Sequence, residues 1–187
     1  HGSAAGLGLT PARIITGEQA DARLGTVVAT AGDVNGDGYA DLIITAPFYD
    51  RGQNAEGRVL VYYGSAAGLS ATPAWSAEGD QNGVFFGTSA GTAGDVNGDG
   101  YADIIIRAPQ YNNGQDDEGR ALVYHGSAVG LSATPAWIAE SDKEEARFGG
   151  AVGAAGEGGV KLALGSHNAR SIAAALALLE RNDLPKE

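Results

Sequence analysis

The chain has 187 residues, of which 43% are hydrophobic, 19% charged and only 7% aromatic, with 30 glycines and a formal net charge of −11. An acidic surface of this size disfavours nucleic acid and anionic lipid as partners, and the absence of cysteine excludes disulfides, thiol nucleophiles and cysteine metal sites. No run of about 18 apolar residues is present, so no membrane insertion is expected. The opening HGSAAGLG has neither the charged nor the apolar region of a signal peptide, so either a leader has been removed or the chain is a piece of something longer.

In chain order, GSAAGL from Gly2 comes first, and PARIIT from Pro11 is in register with the later PAW segments, which read as outermost strands of a sheet. The string GDVNGDGYAD follows at Gly32 to Asp41 and returns at Gly94 to Asp103, 62 residues later. GSAAGL recurs at Gly64 and, as GSAVGL, at Gly126 with the same spacing, and three such units account for nearly the whole chain. Each GDVNGDGYAD is followed by DLIITAP or DIIIRAP, a short β-branched run ending at proline that reads as a buried strand.

Within the repeated string, oxygen-bearing side chains occupy alternate positions: Asp33, Asn35, Asp37 and Asp41 in the first copy, Asp95, Asn97, Asp99 and Asp103 in the second. Ligands at positions 1, 3, 5 and 9 of a tight loop wrap around one point, and position 7, Tyr39 or Tyr101, would contribute its backbone carbonyl. Gly38 and Gly100 stand at position 6, where the chain must turn sharply. An all-oxygen donor set with three carboxylates selects calcium over zinc or copper. Two Ca²⁺ per chain are expected, which would bring the formal charge to about −7. An EF-hand would need an acid at position 12, where Ile44 and Ile106 stand instead. The loop therefore joins two strands rather than two helices. An ordinary polar turn also favours Asp, Asn and Gly, but two copies in identical register speak for the ion.

One unit read from Pro73 contains PAWSAE, the glycine-rich FFGTSAGTAG, the calcium loop, DIIIRAP, a polar hairpin and GRALVYHG. Four strands per repeat of this length predict an all-β fold, a β-propeller of four-stranded blades, with repeats at approximately 11–72, 73–134 and 135–187. Phe86-Gly87 before the loop and Arg107-Ala108-Pro109 after it, with Leu24-Gly25 and Thr45-Ala46-Pro47 in the preceding unit, resemble the FG-GAP repeat of integrin α-subunit propellers and their bacterial relatives. That resemblance implies calcium in the turn between the first and second strands of a blade, on the face away from the main ligand surface, and so a mainly structural metal. It also implies an extracellular or cell-surface location.

The third unit keeps PAWIAE and Phe148-Gly149 but holds Glu157 where Asp95 stands, and Lys161 takes the place of Asp41 in a loop four residues shorter. No calcium is expected there; EGG reads as a turn and VKLALGS as a strand. Residues 170–181 are open between strand, from the alignment of Arg170 with Arg58 and Arg120, and a short C-terminal helix, from their Ala, Leu, Glu and Arg content. The Pro11 strand is then spare and the last blade one strand short. Three blades are few for a closed ring, so the expectation is self-association by terminal strand exchange, a C2 dimer forming a six-bladed ring. The competing explanations are a fragment of a larger propeller or a different partner chain.

His1, His125 and His167 lie in no arrangement suggesting a triad, and no enzyme is expected. Trp75 and Trp137, with Arg13 at the equivalent place, admit a sugar-stacking reading, while packing on an outer strand is the simpler one. The acidic hairpin tips, Asp50 with Glu56 and Asp116 to Glu118, read as mostly solvated charge and as candidates for contacts. Two functions remain: a calcium-stabilised adhesion or assembly module that binds protein partners, and a glycan-binding propeller.

Overall fold

The computed structural model describes the backbone of residues 2–3 and 6–7 and all of residues 9–149. The third unit beyond Gly149, with Glu157, Lys161, His167 and the helix-or-strand segment 170–181, lies outside the described residues, as does His1.

A short antiparallel pair, β1 (Gly2–Ser3) and β2 (Gly6–Leu7), precedes two four-stranded antiparallel sheets. The first blade is β3 (Val28–Gly32), β4 (Asp41–Ala46), β5 (Arg58–Tyr62) and β6 (Trp75–Glu78), side by side in chain order. The second repeats it 62 residues on: β7 (Ala90–Gly94), β8 (Asp103–Ala108), β9 (Arg120–Tyr124) and β10 (Trp137–Glu140). The described residues are all-β, and the two sheets are β-propeller blades. Each PAW segment closes the blade before it: Trp75 pairs with Val61, and Trp137 with Val123.

The β-branched runs can be buried on both faces because alternate side chains point opposite ways. On the second blade, Ile104, Ile106, Leu122 and Tyr124 face back into a shared core with Ile43, Val59 and Val61 of the first, while Ile105, Ala121 and Val123 form the opposite face, capped by Phe148. On the first blade, Ile44, Leu60 and Tyr62, the counterparts of Ile106, Leu122 and Tyr124, are covered by Ile15 and Leu24 from the segment ahead of β3. The inner strands β3 and β7 lie against each other; their alanines and glycines permit that approach.

Two expectations are corrected here. Among the described residues, Pro11 to Thr16 forms no strand. Its position is still that of an outer strand: the Arg13 guanidinium donates to the Ala71 carbonyl much as the Trp75 indole donates to the Ser132 carbonyl. The apolar segment FFGTSAGTAG is strand only from Ala90 to Gly94, since Phe86-Gly87 turns the chain between blades. In that turn Gly87 N–H donates to the Arg107 carbonyl (2.8 Å).

Candidate functional site: the two acidic loops

Each loop begins at a bulge. The β3–β4 register shifts between Thr30 and Gly32, and the β7–β8 register between Thr92 and Gly94. A bulge bends the strand and frees an extra residue, which aims the chain into the turn. In the first loop Asp33 accepts backbone N–H from Gly36 (2.7 Å) and Asp37 (3.1 Å) on Oδ1, and from Gly38 (2.8 Å) on Oδ2. Asn35 Oδ1 accepts Asp37 N–H (3.1 Å), its amide donates to Asp37 Oδ2 (3.1 Å), and Asp37 Oδ1 accepts Tyr39 N–H (2.9 Å). Gly36 and Gly38 have φ of 72° and 85°, left-handed conformations that glycine adopts without strain.

The second loop repeats the pattern: Asp95 accepts from Gly98, Asp99 and Gly100, and Asn97 and Asp99 take the places of Asn35 and Asp37, with Tyr101 N–H on Asp99. The Tyr101 N–H and the Asn97 amide hold Asp99 below the ordinary carboxylate range. His125 Nδ1 lies 3.3 Å from the Asn97 amide, at the rim of this loop.

Position 9 differs from the rest. Asp41 and Asp103 are buried, and each bridges two segments: Asp41 accepts from Val34 N–H (2.9 Å) and Gly64 N–H (2.8 Å), and Asp103 from Val96 N–H (2.7 Å) and Gly126 N–H (2.9 Å). Burial raises both carboxyls above their usual pKa despite those donors, and Asp37 and Asp33 push Asp41 further the same way. Among the described residues no three acidic or histidine side chains are grouped as a metal site; the loop carboxylates are instead turned toward the loop's own amides. The donor chemistry nevertheless suits a hard cation, because the oxygens that accept a single N–H, among them Asp33 Oδ2, Asp37 Oδ1 and both of Asp41, retain a second lone pair, and the candidate ligands are all oxygen.

The two tryptophans occupy outer strands and are half-buried. The Trp75 indole donates to the Ser132 carbonyl (3.0 Å) and meets Tyr124 edge-on at 4.9 Å; Trp137 packs on the apolar face of the second blade. Beside them, burial pushes the Tyr124 hydroxyl up to about 12.

The hairpin acids correct a further expectation. Glu56 and Glu118 are buried rather than solvated, because each stands where a hairpin meets the next blade's phenylalanine: Phe86 N–H donates to the Glu56 carbonyl (3.2 Å) and Phe148 N–H to that of Glu118 (2.9 Å). At Gly57, with φ of 78°, a side chain would collide with the Phe86 backbone. Burial raises both carboxyls, opposed less strongly by backbone hydrogen bonds from Asn113 to Glu118 and from Arg51 to Glu56. The recurrence of Glu-Gly-Arg at 62-residue spacing was the available signal.

The FG-GAP repeat model matches residues 24–62 and 86–124, which span the first three strands of each blade and the acidic loop. The chain is 38% identical to integrin alpha-PS2 of Drosophila melanogaster over 136 residues, covering 69% of the chain and 10% of that protein. It is 35% identical to human integrin alpha-7 over 138 residues (72% and 11%) and 38% identical to integrin alpha-V of Gallus gallus over 130 residues (67% and 12%). The chain thus spans about a tenth of the length of these relatives. With two matched repeats folded as two blades, this chain belongs to the FG-GAP repeat family, of the integrin α-subunit type. Among the described residues no helix is long and apolar enough to cross a membrane.

Proposed function

We propose that this chain is a calcium-binding, extracellular propeller module that mediates protein–protein contact in adhesion or assembly, with the metal mainly structural. The observation that carries the reading is the twofold occurrence of one hydrogen-bonded loop, in which a buried carboxylate (Asp41, Asp103) ties the loop to the strand end at Gly64 or Gly126. Asp33, Asn35, Asp37, Asp41 and the Tyr39 carbonyl would hold one ion; Asp95, Asn97, Asp99, Asp103 and the Tyr101 carbonyl the other. A divalent cation supplies charge compensation for three carboxylates that otherwise repel one another. The chain's own part is to hold those oxygens on a short, glycine-turned loop between the two inner strands of a blade. The integrin relatives support the adhesion class, and with it a protein partner at the cell surface rather than a reaction.

Calorimetric titration of the calcium-stripped chain tests the metal reading. Two ions per chain are expected, falling to one in Asp37→Ala and in Asp99→Ala. No heat of binding, and an unchanged melting temperature when calcium is added back, would overturn it.

A further inference from the structure

Four Asn-Gly pairs occur in the chain, at Asn35, Asn82, Asn97 and Asn113, and the fold treats one of them differently. Asparagine is a chemically labile side chain, and a following glycine leaves it open to attack because no Cβ shields the next backbone nitrogen. The reactive event is attack by that nitrogen, stripped of its proton, on the asparagine Cγ. At three pairs the proton is already engaged. Gly36 N–H donates to Asp33 Oδ1 (2.7 Å) and Gly98 N–H to Asp95 Oδ1 (2.8 Å), so a carboxylate both holds the proton and opposes the negative charge its loss would create. Gly83 N–H donates to the Asn54 carbonyl (2.8 Å), and Asn82 Oδ1 accepts the Asn54 N–H (3.2 Å).

Gly114 is the exception. Among the described residues its N–H has no acceptor, Asn113 and Gly114 are both exposed, and a Cβ at Gly114 would meet nothing within 4 Å. The first blade shows that a following blade leaves this position open. Its counterpart there, Arg51-Gly52, is exposed although the second blade packs against that hairpin, and Gly52 and Gly114 share a φ of 102°. Asn113 also fastens its hairpin: the side-chain amide donates to Glu140 Oε2 (2.9 Å) on the outer strand, as Arg51 donates to Glu78 (3.3 Å) in the first blade.

We infer that Asn113-Gly114 is a self-modifying site, at which spontaneous deamidation releases the second hairpin from Glu140. The Gly114 nitrogen bonds to Asn113 Cγ, the Cγ–Nδ2 bond breaks, and the side-chain nitrogen leaves as ammonia, taking up a proton in place of the one Gly114 gave to solvent. Water then opens the cyclic imide at either carbonyl, giving aspartate or isoaspartate. The net change is one water consumed and one ammonia released, with no oxidant or cofactor. A donor facing Glu140 becomes a second carboxylate, so attraction turns to repulsion, and Glu140 is left with Arg120 (3.8 Å).

The test is peptide mapping by mass spectrometry of the full chain, aged at mildly alkaline pH in native buffer and, in parallel, in guanidinium. In the folded chain, conversion at Asn113 is expected to run about tenfold or more faster than at Asn35 or Asn97, where a hydrogen bond to a carboxylate must first break. It should also outrun Asn82, by a smaller factor. In guanidinium the four rates are expected to converge. Equal rates in the folded chain, fastest conversion at another pair, or a spread that persists in guanidinium would each overturn the inference. Hydrogen exchange over residues 110–118 reads the release, in variants expected to fold because Asn113 is exposed. Asn113→Asp should quicken exchange, and Asn113→Arg, which copies Arg51, should leave it as in the parent. Unchanged exchange in Asn113→Asp overturns the release.

Discussion

The decapeptide GDVNGDGYAD occurs twice, and its two copies fold alike but live differently. The internal hydrogen bonds of the loops agree residue for residue, yet Val34 is fully buried in the inter-blade core while Val96 is half-buried against the face capped by Phe148. Among the described residues, therefore, the first loop is part of a blade junction, and the opening residues of the second, Asp95 to Asn97, are more exposed than their counterparts. Identical local sequence dictates identical local structure here, because the donors to Asp33, Asn35 and Asp37 and to their counterparts all lie within five residues; the energetic weight of each loop comes from what the next blade places against it.

That contrast can be pressed hardest at the phenylalanine between the blades. Phe86→Ala removes a buried ring from the shared core and is expected to cost about 4 kcal/mol in urea denaturation. Leu24→Ala, at the equivalent but only half-covered place, should cost less than half as much; equal losses would show that the first blade's outer face is as tightly packed as the junction. Calcium at a hundred times its dissociation constant would contribute about 2.7 kcal/mol per occupied loop. A chelator should thus lower the melting temperature, and Asp37→Ala should lower it more than Asp99→Ala because the first loop also clasps a neighbour. If Asp99→Ala is the more damaging, the junction role is wrong.

A smaller effect separates the two valines. Val34→Ala is expected to cost about 2 kcal/mol and Val96→Ala less than about 1 kcal/mol, read from denaturation midpoints. The smallest change is favourable. Glu118 is buried, and burial raises its pKa against the opposing Asn113 backbone hydrogen bond, with smaller rises from Glu140 and Asp142. A raised carboxyl favours the folded state below its unfolded value near 4.5, and that advantage is lost as pH climbs through the folded value. Glu118→Gln should therefore stabilise the chain by about 1 kcal/mol at neutral pH and flatten the decline of stability above pH 4.5; no change in either would mean that the carboxylate is better solvated than its burial implies.

Much of the site was legible because the signal was local. Alternating Asp, Asn, Asp, a glycine at the sharp turn and a β-branched run after it specify a strand–loop–strand unit within ten residues, and the 62-residue period supplied the blade. Other features were hidden by distance. Glu56 and Glu118 look like surface acids, and only the docking of Phe86 and Phe148 on the Glu-Gly backbone buries them. Pro11 to Thr16 has the register of an outer strand but is not one among the described residues, since pairing is a long-range property that local sequence does not fix. Nothing near Trp75 in the sequence signals its contacts with Tyr124 and the Ser132 carbonyl, which come from the next repeat.

By itself the sequence determined the repeat, the strands and the shape of both acidic loops, since these follow from backbone preferences and hydrogen bonds between near neighbours. Which loop the second blade clasps and which acids are stripped of water were decided by the tertiary structure alone. Those properties belong to the contact between blades, and no residue carries in its own neighbourhood the knowledge of what will be packed against it.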